Sequence, residues 1–426
     1  MNTRALALKS LVKCDRDLKF ANLEINSTLD KNNLSDSDRG LYTALVYGVL
    51  EREMLLDYIL SPYLKKNVSA LDPEVRCALR LGAVQIFFFD KIPDHAVCDE
   101  TVEIIKKSPR RSAAGLVNAV LRSLIREKEG VRKRIVKAPL SVKYSLPEWI
   151  VELWQSSYGE EKALEILEGF SRKAPLTLHA NTLKTTAEDL CRGFEALGIP
   201  CHIHPRHPDL VVLDTNINPE KLDGFDKGLF FVQGSASALA VKSLGLHPDS
   251  RVLDVCACPG GKSFAAALEL ENRGEIFSFD LHESKLGLIS KGAEKLGITI
   301  IKSECHDARH DFGELVGTAD FVIADVPCSG LGVISKKPDI RKKSPDDIKR
   351  LPEIQTAILE NASKVLKKGG RLLYSTCTLN RAENEDVTDK FLKNHPEFKR
   401  EDGFPVTYFP KDEIEDGFFS DVLIKE

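Results

Sequence analysis

The strongest constraint on the fold lies after residue 250, where short apolar runs alternate with helical stretches. Residues 252–255, 276–279, 321–324 and 371–374 read as buried parallel strands. Helical periodicity fills the gaps between them. One such stretch, 354–366, is expected to end at Gly369-Gly370. The alternation predicts a doubly wound α/β sheet. Such sheets bind ligands outside the carboxyl ends of their strands. The residues just past each run are therefore the ones to read for chemistry.

With 426 residues the chain is long for one domain. Residues 1–140 read as all-α. Tyr42, Leu45, Val46, Val49 and Leu50 form one helical stripe, and Val117, Val120, Leu121, Leu124 and Ile125 repeat its spacing. Residues 141–245 mix types. Trp149 and Trp154 lie in a short helix, 176–178 and 210–213 look like strands, and a helix at 187–197 separates them. A small α+β domain is expected there, followed by the α/β domain over 246–426.

No apolar run approaches the ~18 residues of a membrane span, and charges interrupt the first 17 residues. The expectation is a cytoplasmic protein. Ten cysteines are spread along the chain without a disulfide framework, so free thiols are expected. Cys14, Cys77, Cys98, Cys191 and Cys201 read as small buried hydrophobes. The net charge of −4 argues against a uniformly basic nucleic-acid binder. From Lys106 to Lys143, however, 12 Lys or Arg face only two Glu. That stretch could neutralise phosphates, or could simply be a solvated helix face.

Four segments carry chemistry. The first runs from Asp254 to Ser263, DVCACPGGKS, and opens a helix after the first strand. Gly260 and Gly261 let the backbone approach a ligand. Cys256 occupies the place of the first P-loop glycine, and no G-x-G-x-x-G is present. Cys256-x-Cys258 lacks the second pair that a zinc site needs, so no metal is expected. The second is Asp280, which ends the next strand and could accept hydrogen bonds from ribose hydroxyls. Asp307, after the third strand, is a candidate near an adenine, or a helix N-cap. The third is Asp325-Val-Pro-Cys328 and the fourth is Ser375-Thr-Cys377, each closing a central strand. Two cysteines so placed, flanked by Asp-x-Pro and Ser-Thr, favour catalysis over packing.

Asp-x-Pro-Cys with Ser-Thr-Cys resembles the RNA cytosine-C5 methyltransferase family, the NOP2/NSUN/Sun group. DVCACPGGKS is similar to that family's cofactor loop. Residues 332–339 resemble its R-x-P-D segment, with Lys336 in place of Arg. Glu383-Asn384-Glu385 matches E-N-E, and Asp416-Gly417-Phe418-Phe419 matches D-G-F-F. His179-Ala180-Asn181 stands for R-V-N, and Gly234 follows Gln233 where Asp is usual. Lys336, His179-Ala180-Asn181 and Gln233-Gly234 are expected to touch RNA. The N-terminal part is similar to a NusB-type helical RNA-binding domain. The resemblance implies a multidomain chain: an all-α NusB-like domain, a small α+β domain and a Rossmann-like class I methyltransferase domain. It implies S-adenosylmethionine, held by Cys256, Ala257, Cys258, Pro259, Gly260, Gly261, Lys262, Asp280, Asp307 and Asp325. It implies small-subunit ribosomal RNA, naked or in early assembly, as partner, and a monomer.

C5 of cytosine is a poor nucleophile. A thiolate added at C6 makes C5 enamine-like and splits a difficult step into easier ones. The resemblance makes Cys377 that nucleophile and gives Cys328 a part in release. Asp325 would bond the base near N3 or N4, and Lys262 would position Asp325, or else be a surface charge at a helix start. Three alternatives stay open. DNA-type chemistry would make Cys328 the nucleophile, transfer RNA could be the substrate, and a non-catalytic RNA-binding protein would need neither cysteine.

Overall fold

A computed structural model of the chain describes residues 2–17, 21–172, 174–215, 217–411 and 414–426. The described residues divide into two compact units. One comprises Met1–Leu153 with Ile334–Lys343, the other Trp154–Val333 with Ser344–Glu426.

The first unit is helical, as its periodicity predicts. Tyr42, Leu45, Val46 and Val49 are buried along the helix Asp36–Leu50. Val117, Val120, Leu121 and Leu124 are buried along Ala114–Arg126. That helix lies so close to Pro73–Phe88 that a Cβ on Gly82 would fall 2.6 Å from Leu121. Much of the basic stretch is paired within this unit. Lys128 meets Asp94 at 2.8 Å, Arg110 meets Asp72 at 2.8 Å, and Arg132 meets Glu129 at 3.0 Å. The segment 334–343 belongs here too: Ala21 N donates to Asp339 Oδ2 at 3.2 Å, and Trp149 Nε1 donates to Lys343 O.

The second unit holds two sheets. In the smaller, β1 (Leu176–Ala180), β2 (Cys201–Ile203), β3 (Leu210–Leu213) and β4 (Phe230–Val232) lie in the order β2-β3-β1-β4, all antiparallel. The larger sheet contains β5 (Arg251–Asp254), β6 (Glu275–Asp280), β7 (Ile301–Cys305), β8 (Ala319–Asp325) and β9 (Leu366–Thr376). β10 (Phe398–Arg400), β11 (Val406–Tyr408) and β12 (Phe418–Lys425) complete it. Its order is β10-β12-β9-β8-β5-β6-β7, with β11 on β12. β5 to β9 are parallel, as expected. β12 runs antiparallel to β9 and makes the sheet mixed.

The glycine pair is a second correction. The helix Leu351–Lys364 ends before it, and Gly369-Gly370 lies inside β9. There the pairing with β8 shifts register between Ala319 and Phe321, and Gly369 adopts φ +81°. A left-handed residue inside a bulge favours glycine. Among the described residues no helix is long and apolar enough to cross a membrane.

Backbone bonds knit three loops at the carboxyl edge of the sheet. Gly332 N donates to Cys377 O at 2.9 Å, and Gly417 N donates to Gly332 O at 2.7 Å. A Cβ on Gly332 would lie 1.8 Å from Gly417 O, so the backbone would have to part. Gly332→Ala is expected to cost about 1–3 kcal/mol of stability, the usual range for overpacking. Gly287→Ala is the control, because nothing lies within 4 Å of that Cβ on the helix Glu283–Leu296. It should gain about 0.5–1 kcal/mol from helix propensity. Urea unfolding midpoints at constant m-value measure both, and equal midpoints for the two variants would contradict the close approach.

Candidate active site

The site is assembled where β5, β8 and β9 end. Parallel pairing sets Asp325 opposite Ser375, and Ser375 Oγ donates to Asp325 Oδ1 at 2.8 Å. Beyond the strands the chains turn the two cysteines toward each other. Cys328 Sγ and Cys377 Sγ are 3.3 Å apart, a hydrogen-bonded thiol pair. Both are half-buried. The bond to Cys377 pushes the Cys328 thiol far above its ordinary value, and burial adds to the shift. Either thiol can be the donor of the pair.

From the β5 turn, Lys262 reaches Asp325. Its Nζ lies 2.7 Å from Asp325 Oδ2, and its side chain is only 11% exposed. The ammonium also sits over the Phe418 ring, 5.2 Å from the centroid. Of the two readings the sequence allows for Lys262, a surface charge does not describe this placement.

The glycine loop is held from behind. Ala257 N donates to Phe279 O and Gly260 N to Ala257 O, both at 2.7 Å. Gly260 has φ +114°, and a Cβ there would meet the Phe264 ring at 2.5 Å, so only glycine fits. Gly261 starts the helix Gly261–Glu269, and a Cβ on it would meet nothing nearer than Gln233 Nε2 at 4.0 Å. Cys256, Cys258 and Pro259 complete the turn. Burial drives the Cys256 thiol well up, and drives that of Cys258 to about 11 with Asp280 adding to it. These two thiols are therefore inert at neutral pH.

Asp280 closes the loop at the end of β6. Its Oδ2 accepts from Cys258 N at 3.3 Å and its Oδ1 from His282 N at 2.9 Å. A carboxylate has about four acceptor sites, so room remains for ligand hydroxyls. Asp307 is not brought to the loop by a bond. Arg309 holds it through its backbone N at 3.0 Å and its guanidinium at 2.6 Å. That hydrogen bonding lowers the Asp307 carboxyl to about 2.

Asp254 is a group that motif reading passed over. It is fully buried, and Ser263 Oγ donates to its Oδ2 at 2.7 Å. Its Oδ1 is buried with no partner. His179 and Gln233 require a correction, since both are buried rather than placed to touch RNA. His179 Nδ1 bonds Gln233 Oε1 at 2.6 Å, and Gln233 Nε2 donates to Gly261 O at 3.1 Å. The pair braces the glycine loop. Among the described residues no group of three or more His, Cys, Asp or Glu is placed to hold a metal ion.

Comparison with known proteins identifies this arrangement. The profile of the 16S rRNA methyltransferase RsmB/F family matches residues 241–424. A "Probable ribosomal RNA small subunit methyltransferase B" of Bacillus subtilis is 39% identical over 93% of this chain and 90% of its own length. The chain belongs to the 16S rRNA methyltransferase RsmB/F family. It is thus a methyltransferase. A Thermus thermophilus member, ribosomal RNA small subunit methyltransferase B, is 34% identical over 93% of this chain and 89% of its own. The NusB family profile matches residues 1–126, and a ferredoxin-like profile of RsmF/B-like methyltransferases matches 146–219. The chain therefore joins an all-α NusB-type domain, a ferredoxin-like α+β domain and a Rossmann-like domain; the sequence pattern predicted the all-α, α+β and α/β order, and the resemblance implied the NusB-type and Rossmann-like kinds. The crystal structure of PH0851 shares the fold, with TM-score 0.81 and 24% identity over 100% of this chain and 99% of its own. NSun6 from Pyrococcus horikoshii, solved with SFG, has TM-score 0.59 and 22% identity over 66% of this chain and 98% of its own.

The Asp254 carboxyl is pushed up to about 7, chiefly by burial and further by Asp325, against the pull of Ser263 and Lys262. Its folded pKa is raised, so the folded state holds the extra proton between about pH 4 and 7. Stability from this group is therefore lost as pH rises through that window. Asp254→Asn should abolish that loss. The unfolding free energy of wild type minus variant should fall from pH 4 to 7 and then level off. A difference flat with pH would show that Asp254 does not hold its proton.

Proposed function

We propose that this family member methylates C5 of a cytosine in 16S ribosomal RNA through a covalent Cys377–C6 adduct. The observation that carries the proposal is the thiol pair, 3.3 Å apart, beside the Lys262–Asp325 ion pair. Packing alone has little use for two thiols at a strand-end crevice next to a buried charge pair. The names printed for the B. subtilis and T. thermophilus relatives support small-subunit ribosomal RNA as substrate.

The cofactor is S-adenosylmethionine, which supplies an electrophilic methyl group on sulfonium. The residues fit it. Gly261 leaves space above the turn, Asp280 has free acceptor sites for hydroxyls, and the orphaned Asp254 Oδ1 offers a buried acceptor. Cys256, Ala257, Cys258 and Pro259 line the loop, and Asp307, held by Arg309, is the candidate near an adenine.

Cys377 attacks C6 as thiolate. Cys328, with its sulfur 3.3 Å away, can donate to the Cys377 sulfur and so favour its anion. Asp325 accepts from the base edge and holds it as charge builds in the ring. Lys262 fixes Asp325 for that task, and Ser375 fixes its other oxygen. After C5 has taken the methyl group, Cys328 as thiolate takes the C5 proton, the C5–H electron pair closes the C5=C6 bond, and the C6–S pair returns to Cys377. The target base must leave its stack, which costs least in a loop or bulge. We further propose a working division at 1–140, 141–245 and 246–426. The protein would act as a metal-independent monomer, in the cytoplasm, on naked or early-assembly RNA.

Labelled S-adenosylmethionine and unmodified 16S ribosomal RNA test the reading. Wild type should make 5-methylcytosine. Cys377→Ala should fall by three orders of magnitude or more, on the order of a lost covalent nucleophile. Cys328→Ala should accumulate a denaturation-resistant protein–RNA adduct. Activity retained by Cys377→Ala, with neither product nor adduct from Cys328→Ala, would reverse the two roles. Methylation of transfer RNA but not 16S RNA would move the substrate.

A further inference from the structure

The thiol pair is held by two neighbouring residues. Glu383 is completely buried. Its Oε2 accepts from Ser329 N at 2.8 Å and from Gln355 Nε2 at 3.0 Å. Gln355 Nε2 also donates to Pro327 O at 3.0 Å. The peptides on both sides of Cys328 are thus tied to one carboxylate and one amide. Oε1 of Glu383 accepts from Asn380 at 2.8 Å, in the loop that follows Cys377.

Asn384 does the same for the other thiol. It is also completely buried. Its Oδ1 accepts from Thr376 Oγ1 at 2.6 Å, and its Nδ2 donates to Thr378 O at 2.9 Å. Those partners flank Cys377. A buried carboxylate with three donors is expensive to assemble unless every lone pair is used. Here the cost is met at one point, the seam between the two cysteine loops.

We infer that the Glu383-Asn384 dipeptide is the positioning element for both thiols, with Glu383 placing Cys328 for release and Asn384 placing Cys377 for attack. The inference rests on the covalent reading above. Each residue acts through a different loop, so each should fail at a different step. Glu383→Gln keeps the side-chain shape but takes the charge from the oxygen that Ser329 N and Gln355 share, which weakens both ties to the Cys328 loop, and its new N–H₂ confronts another donor, Asn380. Cys328 then loses its placement, while Thr376 and Thr378 still hold Cys377. Misplacement by ~1 Å typically costs on the order of 10²-fold.

The test measures turnover and the steady-state fraction of enzyme trapped as a denaturation-resistant RNA adduct, in full-length protein. Glu383→Gln should lose turnover by about 10²-fold while its trapped fraction rises toward that of Cys328→Ala. Asn384→Ala should lose turnover and trapped fraction together. A melting curve accompanies each variant. Should Glu383→Gln fail to fold, Gln355→Met removes the ties to Pro327 O and Glu383 Oε2 only, and should raise the trapped fraction by a smaller factor. Two outcomes overturn the inference: adduct and turnover falling in parallel in Glu383→Gln, or a Gln355→Met trapped fraction equal to wild type. If Cys328→Ala itself traps no adduct, the covalent reading fails instead, and that failure is visible before either positioning variant is made.

Discussion

The parallel pairing of β8 with β9 is the constraint from which the site follows. Asp325 faces Ser375 in that register, and Val326 N continues the ladder by donating to Ser375 O at 3.1 Å. The two strands therefore end level with each other. The Pro327-Cys328 turn leaves one and Cys377 leaves the other, close enough for their sulfurs to touch. A slip of one residue would turn every side chain to the opposite face. The slip is prevented by burial on both sides of the sheet: Val322, Ala324, Leu372 and Tyr374 in one core, Phe321, Ile323 and Leu373 in the other. The register shift near Ala319 and Leu366 occurs at the far end of the strands, where it leaves the catalytic edge aligned.

What could be read from the sequence followed the physics of burial. β5, β6, β8 and β9 carry apolar runs because helices cover both faces, and the motifs at their ends could be placed at once. β12 gave no such run, although it is almost wholly buried. Ser420 and Asp421 interrupt it. Asp421 is tolerated inside only because Arg400 Nε donates to both its oxygens, at 2.9 and 3.1 Å. A charge matched by a partner 21 residues away is invisible to any local pattern. β2 and β4, three residues each, are too short to show a period. The segment 334–343 reads as part of the last domain but packs within the first compact unit, and again only three-dimensional partners reveal this.

Site residues followed the same rule. Cys377, Cys328 and Asp325 stood out by closing or following strands, and Lys262 by its place in the motif that resembles the family's cofactor loop. His179 and Gln233 were misleading because polar residues are usually exposed. Here they are buried with each other as partner, and their work is to brace Gly261 O. Burial of a bonded polar pair costs little, whereas either residue alone would be unfavourable there.

One cation serves two carboxyls at the heart of the site. Lys262 bonds Asp325 directly and lowers the charge cost of Asp254 from nearby. Were both acids fully ionised behind an 11%-exposed lysine, the excess negative charge would fall beside Cys328 and Cys377 and oppose a thiolate. Deep burial of Asp254 relieves this. Its carboxyl, raised to about 7, carries a proton for much of the time at neutral pH. Ser263 and the buried end of β5 thus do more than support the glycine turn. By disfavouring the Asp254 charge they leave more of the Lys262 charge to Asp325, the one carboxylate of the two that opens toward the crevice, at 32% exposure. The electrostatic arrangement and the loop geometry are for this reason not independent. The same strand end that shapes the turn buries the acid beside Lys262.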